Sequence, residues 1–300
     1  MSYVDHRLAD IASKKSLSKK AKRDALDKHY IMFRKFVGMT CREGGKSMIV
    51  NGNAGMGKTE FTNDVVKEHA QKKRIKCGKI SGTLSSVMLF ENLYHHRKKG
   101  QILIVDDTDK ILEDTESLEI LKAALDTKED NIVDWSKYSV ALKKRNVQTK
   151  FAYEGKIIII TNKMLRTAPD DQPTVTQQRI EPLMSRVHYF RAGLPDTSWK
   201  VEAIRMFAEG YESKFEDGYK YQLRCADDIE LHDGDRKTSA RKGGSPTLDR
   251  QRVLDEIVDW ISDNADDLRE VSFRTVAKLI QIRNLEPLMW QDMAMVDLGI

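Results

Sequence analysis

Gly52-Asn53-Ala54-Gly55-Met56-Gly57-Lys58-Thr59 decides how the rest of this chain is read. The octapeptide is a complete G-x-x-x-x-G-K-T. It follows a β-branched run, Ser47 to Asn51 (SMIVN), and it opens a helical pattern over Lys58 to Lys72. Strand, glycine-rich turn and helix in that order make a phosphate-binding loop. The glycines let backbone amides curl around a β-phosphate, and the helix start adds positive dipole. Lys58 bridges the β- and γ-phosphates, and Thr59 places a hydroxyl on Mg²⁺. Residues Gly52 to Thr59, with Glu60 just beyond, are the candidate ATP-binding residues, and ATP and Mg²⁺ are the expected ligands.

Outward from the loop, short β-branched runs alternate with helical stretches, the pattern of a parallel sheet with crossover helices. Expected strands are Ser47–Asn51, Ile75–Ser81, Gln101–Asp106 and Lys156–Thr161, and expected helices cover Ser85–Arg97 and Glu116–Leu125. Residues 132–153 read as a hairpin whose middle, ALKKRN, is polar. After Phe190 the β-branched runs stop, and amphipathic stretches at 198–209, 248–263, 272–283 and 286–296 announce a small helical domain. Between the first two of these lies a charged, Gly- and Ser-rich segment that reads as an insertion or mobile loop.

Two strand ends carry chemistry. Ile102-Leu103-Ile104-Val105 ends in Asp106 and Asp107 at the carboxyl edge of the sheet, where ligands of open α/β sheets bind. Asp106 is placed to hold Mg²⁺ through water, as Thr59 would directly, and Asp107 to polarise an attacking water. Ile157 to Ile160 then end in Thr161 and Asn162, and an amide at that tip can hydrogen-bond the water or the γ-phosphate.

Composition sets the outer bounds. With 40% hydrophobic and 32% charged residues and only 6 Pro in 300 residues, the chain is neither disordered nor collagenous. Its longest apolar runs are far short of the roughly 20 residues a bilayer span needs, so no membrane role is expected. The N-terminus has no apolar core of the kind a secretory signal carries, and a cytoplasmic location is expected. Three separated cysteines, Cys41, Cys77 and Cys225, fit reduced thiols. The formal charge is +5, yet residues 1–35 alone carry +6, so all the excess positive charge is N-terminal. Such a basic arm attracts phosphate backbones or an acidic partner, and a solvated helix face reads equally well.

Taken in order, the phosphate loop, ILIVDD, IIIITN, Pro182-Leu183-Met184-Ser185-Arg186 and Ser272-Phe273-Arg274-Thr275 resemble the motif series of AAA+ ATPases over roughly residues 30–296. The resemblance implies an α/β fold, a P-loop parallel sheet with flanking helices, followed by a small α-helical lid. The expected division is a basic arm at 1–35, an ATP-binding core at 36–192 and a lid at 193–300 with a charged insertion near 211–247. By the same resemblance Asn162 is sensor 1, Arg186 an arginine finger acting on a neighbouring subunit, and Arg274 sensor 2. Arg179, seven residues upstream of Arg186, competes for the finger. A homo-oligomeric ring, a hexamer, is expected. The acid pair departs from the family's usual Asp-Glu. With the insert and IIIITN it is also similar to viral superfamily 3 helicases and phage-encoded AAA+ proteins, which would place the chain in a host cytoplasm.

In the helicase-related branches of that family a hairpin between these two strands touches nucleic acid. Lys143, Lys144, Arg145 and Lys150 would supply phosphate contacts, with DNA favoured and a replication protein as a further partner, while a merely solvated loop reads equally well. The expected function is a nucleic-acid motor or remodeller in DNA replication, a helicase or helicase-loader. The alternative is a protein-remodelling ATPase or nucleotide-dependent switch. Against it, no aromatic residue follows the second strand before Phe90, where a polypeptide-threading loop carries one.

Overall fold

The most apolar β-branched runs of the chain take the middle of the sheet, where both faces are buried. The structure is a computed structural model that describes residues 17–73, 75–126, 131–163, 165, 172–232, 235 and 246–300. Its strands are β1 (Met48–Asn51), β2 (Lys76–Ser81), β3 (Gln101–Asp106), β4 (Ile132–Asp134), β5 (Lys150–Ala152), β6 (Lys156–Thr161) and β7 (His188–Arg191). The helices are α1 (Lys19–Cys41), α2 (Lys58–Lys73), α3 (Ser86–His95), α4 (Thr115–Ala124), α5 (Val140–Lys144), α6 (Val175–Met184), α7 (Thr197–Ala208), α8 (Pro246–Asp263), α9 (Phe273–Leu285) and α10 (Trp290–Leu298). Among the described residues no helix is long and apolar enough to cross a membrane.

The chain divides into two units, the first made of residues 32–53 and 58–193, the second of residues 17–31, 54–57 and 194–300. The first is α/β. Its five-stranded sheet has the order β2-β3-β6-β1-β7, and every pairing is parallel. The expected strands all form. β7 is an addition that the sequence reading did not anticipate, and it extends the sheet beyond β1 with Asn51 opposite Arg191. The central β3 and β6 are buried on both faces, which is why ILIVD and IIIIT lack alternation. Ile158 is fully buried between its neighbours. Ile158→Ala is therefore expected to cost about 3–4 kcal/mol, read as a lowered midpoint in chemical denaturation.

Register fixes the tips. Asn51 lies opposite Thr161, and Ile160 lies opposite Asp106. The residues that follow, Gly52, Asn162 and Asp107, are thus brought into one row at the carboxyl edge by strand pairing alone.

The hairpin exists, but its connection is not a polar tip. β4 and β5 pair antiparallel, with Val133 and Phe151 inward. Between them Ser139 caps the short helix α5, accepting from the Leu142 amide, and Leu142 is fully buried. Trp135 and Phe151 pack edge-on against Phe90 of α3, with centroids 5.5 and 5.0 Å apart. Arg145 is paired with Glu91 of α3, and Lys137 with Glu116 of α4 at 2.7 Å. That pairing holds the Glu116 carboxyl below its usual range, the Lys137 bond being the largest cause and the Ser86 hydroxyl the next.

In the second unit α8 packs on α7 and α9, and α10 on α9, around Trp199, Phe207, Ile257, Leu279 and Trp290. The part of the basic segment from Lys19 onward is helical. On it Asp27 is fully buried and satisfied by Ser213 Oγ (2.7 Å), the Lys214 amide (2.7 Å) and Tyr221 Oη (2.7 Å). Residues 1–16 and most of 233–245, where part of the basic arm and the insertion were expected, lie outside the described residues. The Cys225 thiol is pushed up to about 11, chiefly by burial, which suits an unreactive thiol.

Candidate functional site

The site of the first unit assembles where β1, β6 and β3 end. Gly52 is the turning point. A Cβ there would lie 2.5 Å from the Gly193 amide nitrogen, so only glycine lets the chain leave β1 past that segment. Six residues on, Lys58 begins α2 and is buried. Its Nζ donates to the carbonyls of Gly52 (2.7 Å) and Asn53 (2.6 Å) and to Asn162 Oδ1 (2.8 Å). A buried ammonium is costly unless its protons are bonded, and these acceptors satisfy it.

Asn162 bridges onward, its Nδ2 donating to Asp107 Oδ1 at 3.4 Å, a long bond. Lys58, Asn162 and Asp107 therefore form one chain from the glycine-rich loop to the second acid. The flanks of Asn162 are tied down. Thr161 Oγ1 donates to Asp109 Oδ1 (2.5 Å), and Asn51 Nδ2 donates to the Lys163 carbonyl. Asn51 Oδ1 in turn accepts from Tyr189 Oη at 3.2 Å. Sequence reasoning missed Asn51, Asp109 and Tyr189. Asn51 and Asp109 stand next to motif residues, but no pattern shows what they bond.

Asp106 is buried, and Thr59 Oγ1 donates to its Oδ1 at 3.1 Å. Lys79 Nζ lies 2.8 Å from the other oxygen, Oδ2. A hydroxyl and a carboxylate at this separation are a hard-oxygen pair of the sort Mg²⁺ takes, since that ion uses one or two protein oxygens and fills its octahedron with phosphate and water. The donor set thus fits the expected metal.

Asp107 is exposed and adopts φ 55°, in the left-handed region. Asp and Asn enter this region far more readily than longer side chains, because their short polar groups bond locally. This gives a physical reason for Asp where a family resemblance would put Glu. A glutamate here would reach one methylene farther but would pay more for the backbone.

In the second unit the loop residues Ala54–Gly57 meet the start of α9. The Phe273 amide donates to the Gly55 carbonyl at 3.0 Å. A Cβ on Gly55, whose φ is +74°, would lie 2.4 Å from Ser272 Cβ, so space and backbone both demand glycine. Ser272 caps α9 by accepting from the Thr275 amide, and Arg274 is exposed on the first turn, next to the residue that holds Gly55.

The other expected residues are placed less decisively. Glu60 is exposed in the first turn of α2. Arg186 follows α6, donates to the Pro182 carbonyl (2.5 Å), and its Nε is 3.9 Å from Asp126 Oδ1, while Arg179 is exposed on α6. Lys143, Lys144 and Arg145 stand together at the end of α5 and are exposed, with Arg145 engaged by Glu91.

Comparison with known proteins places no family model on the chain. An uncharacterized 36.7 kDa protein of Enterobacteria phage T4, from the nrdC-mobD intergenic region, is 32% identical over 149 residues, half of this chain and 45% of that protein. The chain thus spans under half the length of this relative. Among solved structures, a RuvB mutant of Thermotoga maritima aligns at 14% identity over 95% of this chain and 83% of its own, with a TM-score of 0.39. Domain III of the Thermotoga maritima replication initiation protein DnaA aligns at 14% identity over 86% and 92%, with a TM-score of 0.37. Trip13 of Rhizobiales aligns at 13% over 89% and 94%, with a TM-score of 0.35.

Proposed function

We propose that this chain is a Mg²⁺-dependent ATPase of the AAA+ type. In this reading it works as a homo-oligomeric ring, a hexamer, that moves or remodels nucleic acid in DNA replication, in the manner of a helicase or helicase loader. The observation that carries the ATPase is the bridge from Lys58 through Asn162 to Asp107, standing beside the Thr59–Asp106 pair.

Each residue has a role in that reading. Lys58 exchanges its bonds to the loop carbonyls for bonds to the β- and γ-phosphates. Thr59 and Asp106 would hold Mg²⁺, which supplies charge neutralisation on the phosphates when bound. Asp107 Oδ takes the proton of the attacking water, and Asn162, fixed from both flanks, orients that water. Arg274 reads the nucleotide from the first turn of α9. Arg186 completes a neighbouring subunit's site, where a guanidinium that meets the developing γ-phosphate charge is worth about 10³–10⁵ in rate. The phage T4 relative supports a phage origin, and so a host cytoplasm.

Nucleic acid is the proposed substrate because Lys143 and Lys144 stand exposed together, with Arg145 beside them, on the helix that joins β4 and β5. Each phosphate contact releases a counterion, and Arg145 is already neutralised by Glu91. Replacing all three by Ala is expected to flatten the log-log salt dependence of single-stranded DNA binding by roughly two units and to remove DNA-stimulated phosphate release. Basal turnover and thermal stability should hold, since Leu142, which packs α5, is untouched. The same measurement on the full chain with the exposed Lys19, Lys20 and Lys28 replaced by Ala lowers the contribution of α1 to binding while leaving its buried Leu26 and Asp27 in place. If DNA stimulates neither chain at low salt, the motor reading fails, and protein remodelling or a nucleotide-dependent switch takes its place.

A further inference from the structure

Lys79 is the unexpected cation of the site. It stands on β2 two residues before Ser81, and Ser81 lies opposite Asp106 on β3. Side chains two apart on a strand share a face, so Lys79 is the diagonal neighbour of Asp106, within reach of a long side chain. Its Nζ is 2.8 Å from Asp106 Oδ2, while Thr59 Oγ1 takes Oδ1. The Asp106 side chain is only 10% exposed, against 38% for Lys79. A tethered cation therefore sits on one oxygen of the carboxylate assigned to the metal.

Two opposed consequences follow from charge alone. A buried carboxylate repels an arriving triphosphate, and an ammonium paired with it removes much of that repulsion. The same ammonium occupies an oxygen that a divalent cation would otherwise attract, and it repels that cation. We propose that Lys79 is a built-in competitor of Mg²⁺ for Asp106, a positioning residue that sets how strongly nucleotide binding depends on the metal. The inference rests on the reading of Thr59 and Asp106 as the Mg²⁺ residues. Lys79 keeps Asp106 neutral toward metal-free nucleotide and gives up Oδ2 when the metal settles.

The test is binding, not turnover. Titration calorimetry with ATPγS, in EDTA and in excess Mg²⁺, gives the ratio of the two dissociation constants for each variant. In Lys79→Met, metal-free binding is expected to weaken about fivefold and Mg²⁺-loaded binding to tighten about fivefold, so the ratio widens about 25-fold, and less at high salt. Lys79→Arg keeps the cation and is expected to stay within about twofold of the wild type. In an Asp106→Asn background Lys79→Met should leave the ratio unchanged, because no carboxylate remains to contest; a merely structural lysine would act alike in both backgrounds. An unchanged ratio in Lys79→Met, where the wild type binds nucleotide, overturns this inference alone. An equal change in the Asp106→Asn background overturns it as well. A wild type that binds ATPγS in neither condition overturns the reading of the site and this inference with it.

Discussion

Lys58→Ala is expected to abolish nucleotide turnover, lowering kcat/KM by about 10³-fold or more, with nucleotide affinity falling in step. The side chain is buried, and bonds from its ammonium converge on Gly52, Asn53 and Asn162. Removing the ammonium deletes the point charge that, in the proposed mechanism, bridges the β- and γ-phosphates, and it frees Asn162 from one side. It also strands the Gly52 and Asn53 carbonyls, so some loss of stability will accompany the loss of activity. Lys58→Met, which keeps the packing of the stem but donates no hydrogen bond, should leave turnover lost and recover only the part of the melting temperature that comes from the stem. Steady-state phosphate release checks the activity, and a fluorescent nucleotide titration checks the binding. Turnover at the wild-type rate in Lys58→Ala would remove the phosphate loop from the mechanism.

Asp107→Asn is expected to behave in the opposite way toward binding. Asp106 and Thr59 still form their pair, Lys58 still bridges to Asn162, and only the carboxylate proposed to take the proton from water is neutralised. Hydrolysis should fall by about 10²–10⁴, the usual contribution of a general base, while nucleotide affinity stays near that of the wild type. Asparagine also tolerates the left-handed backbone that residue 107 adopts at φ 55°, so the variant should fold normally. The checks are single-turnover hydrolysis and a nucleotide-binding titration run side by side. Equal hydrolysis rates in Asp107→Asn and the wild type would assign the base to another residue.

The middle of the first unit's sheet was legible because β1, β3 and β6 are buried on both faces and so read as short apolar runs. ILIVD and IIIIT need no partner to declare themselves. β7 was missed because HYFR is four residues long with His and Arg at its ends, a pattern that becomes a strand only when β1 offers it an edge. α6 carried a signal that went unread: Thr174 and Gln177 form a capping box, while Pro182 inside the helix argues the other way. In α1 the spacing of Leu26, Tyr30, Phe33 and Val37 is helical, and all four are buried, but the lysines around them drew the reading toward an arm.

The same division holds at the site. Lys58, Thr59, Asp106, Asp107 and Asn162 announced themselves because each belongs to a local pattern of strand end or glycine turn. What bonds them to one another comes from register. Lys79 reaches Asp106 only because Ser81 pairs opposite it, and Asn51 reaches the Lys163 carbonyl only because β1 lies beside β6. Arg145 looked available in the sequence and is held by Glu91, 54 residues away. Spacing along a chain does not report such pairs.

The most direct test of the account is phosphate release from ATP by the purified chain, measured in Mg²⁺ and again in EDTA, beside Lys58→Ala and Asp107→Asn. The account expects steady release in Mg²⁺ that stops in EDTA and is lost in both variants, with nucleotide still bound by Asp107→Asn and no longer by Lys58→Ala. Release that is absent from the wild type, or equal in all three proteins, would contradict it.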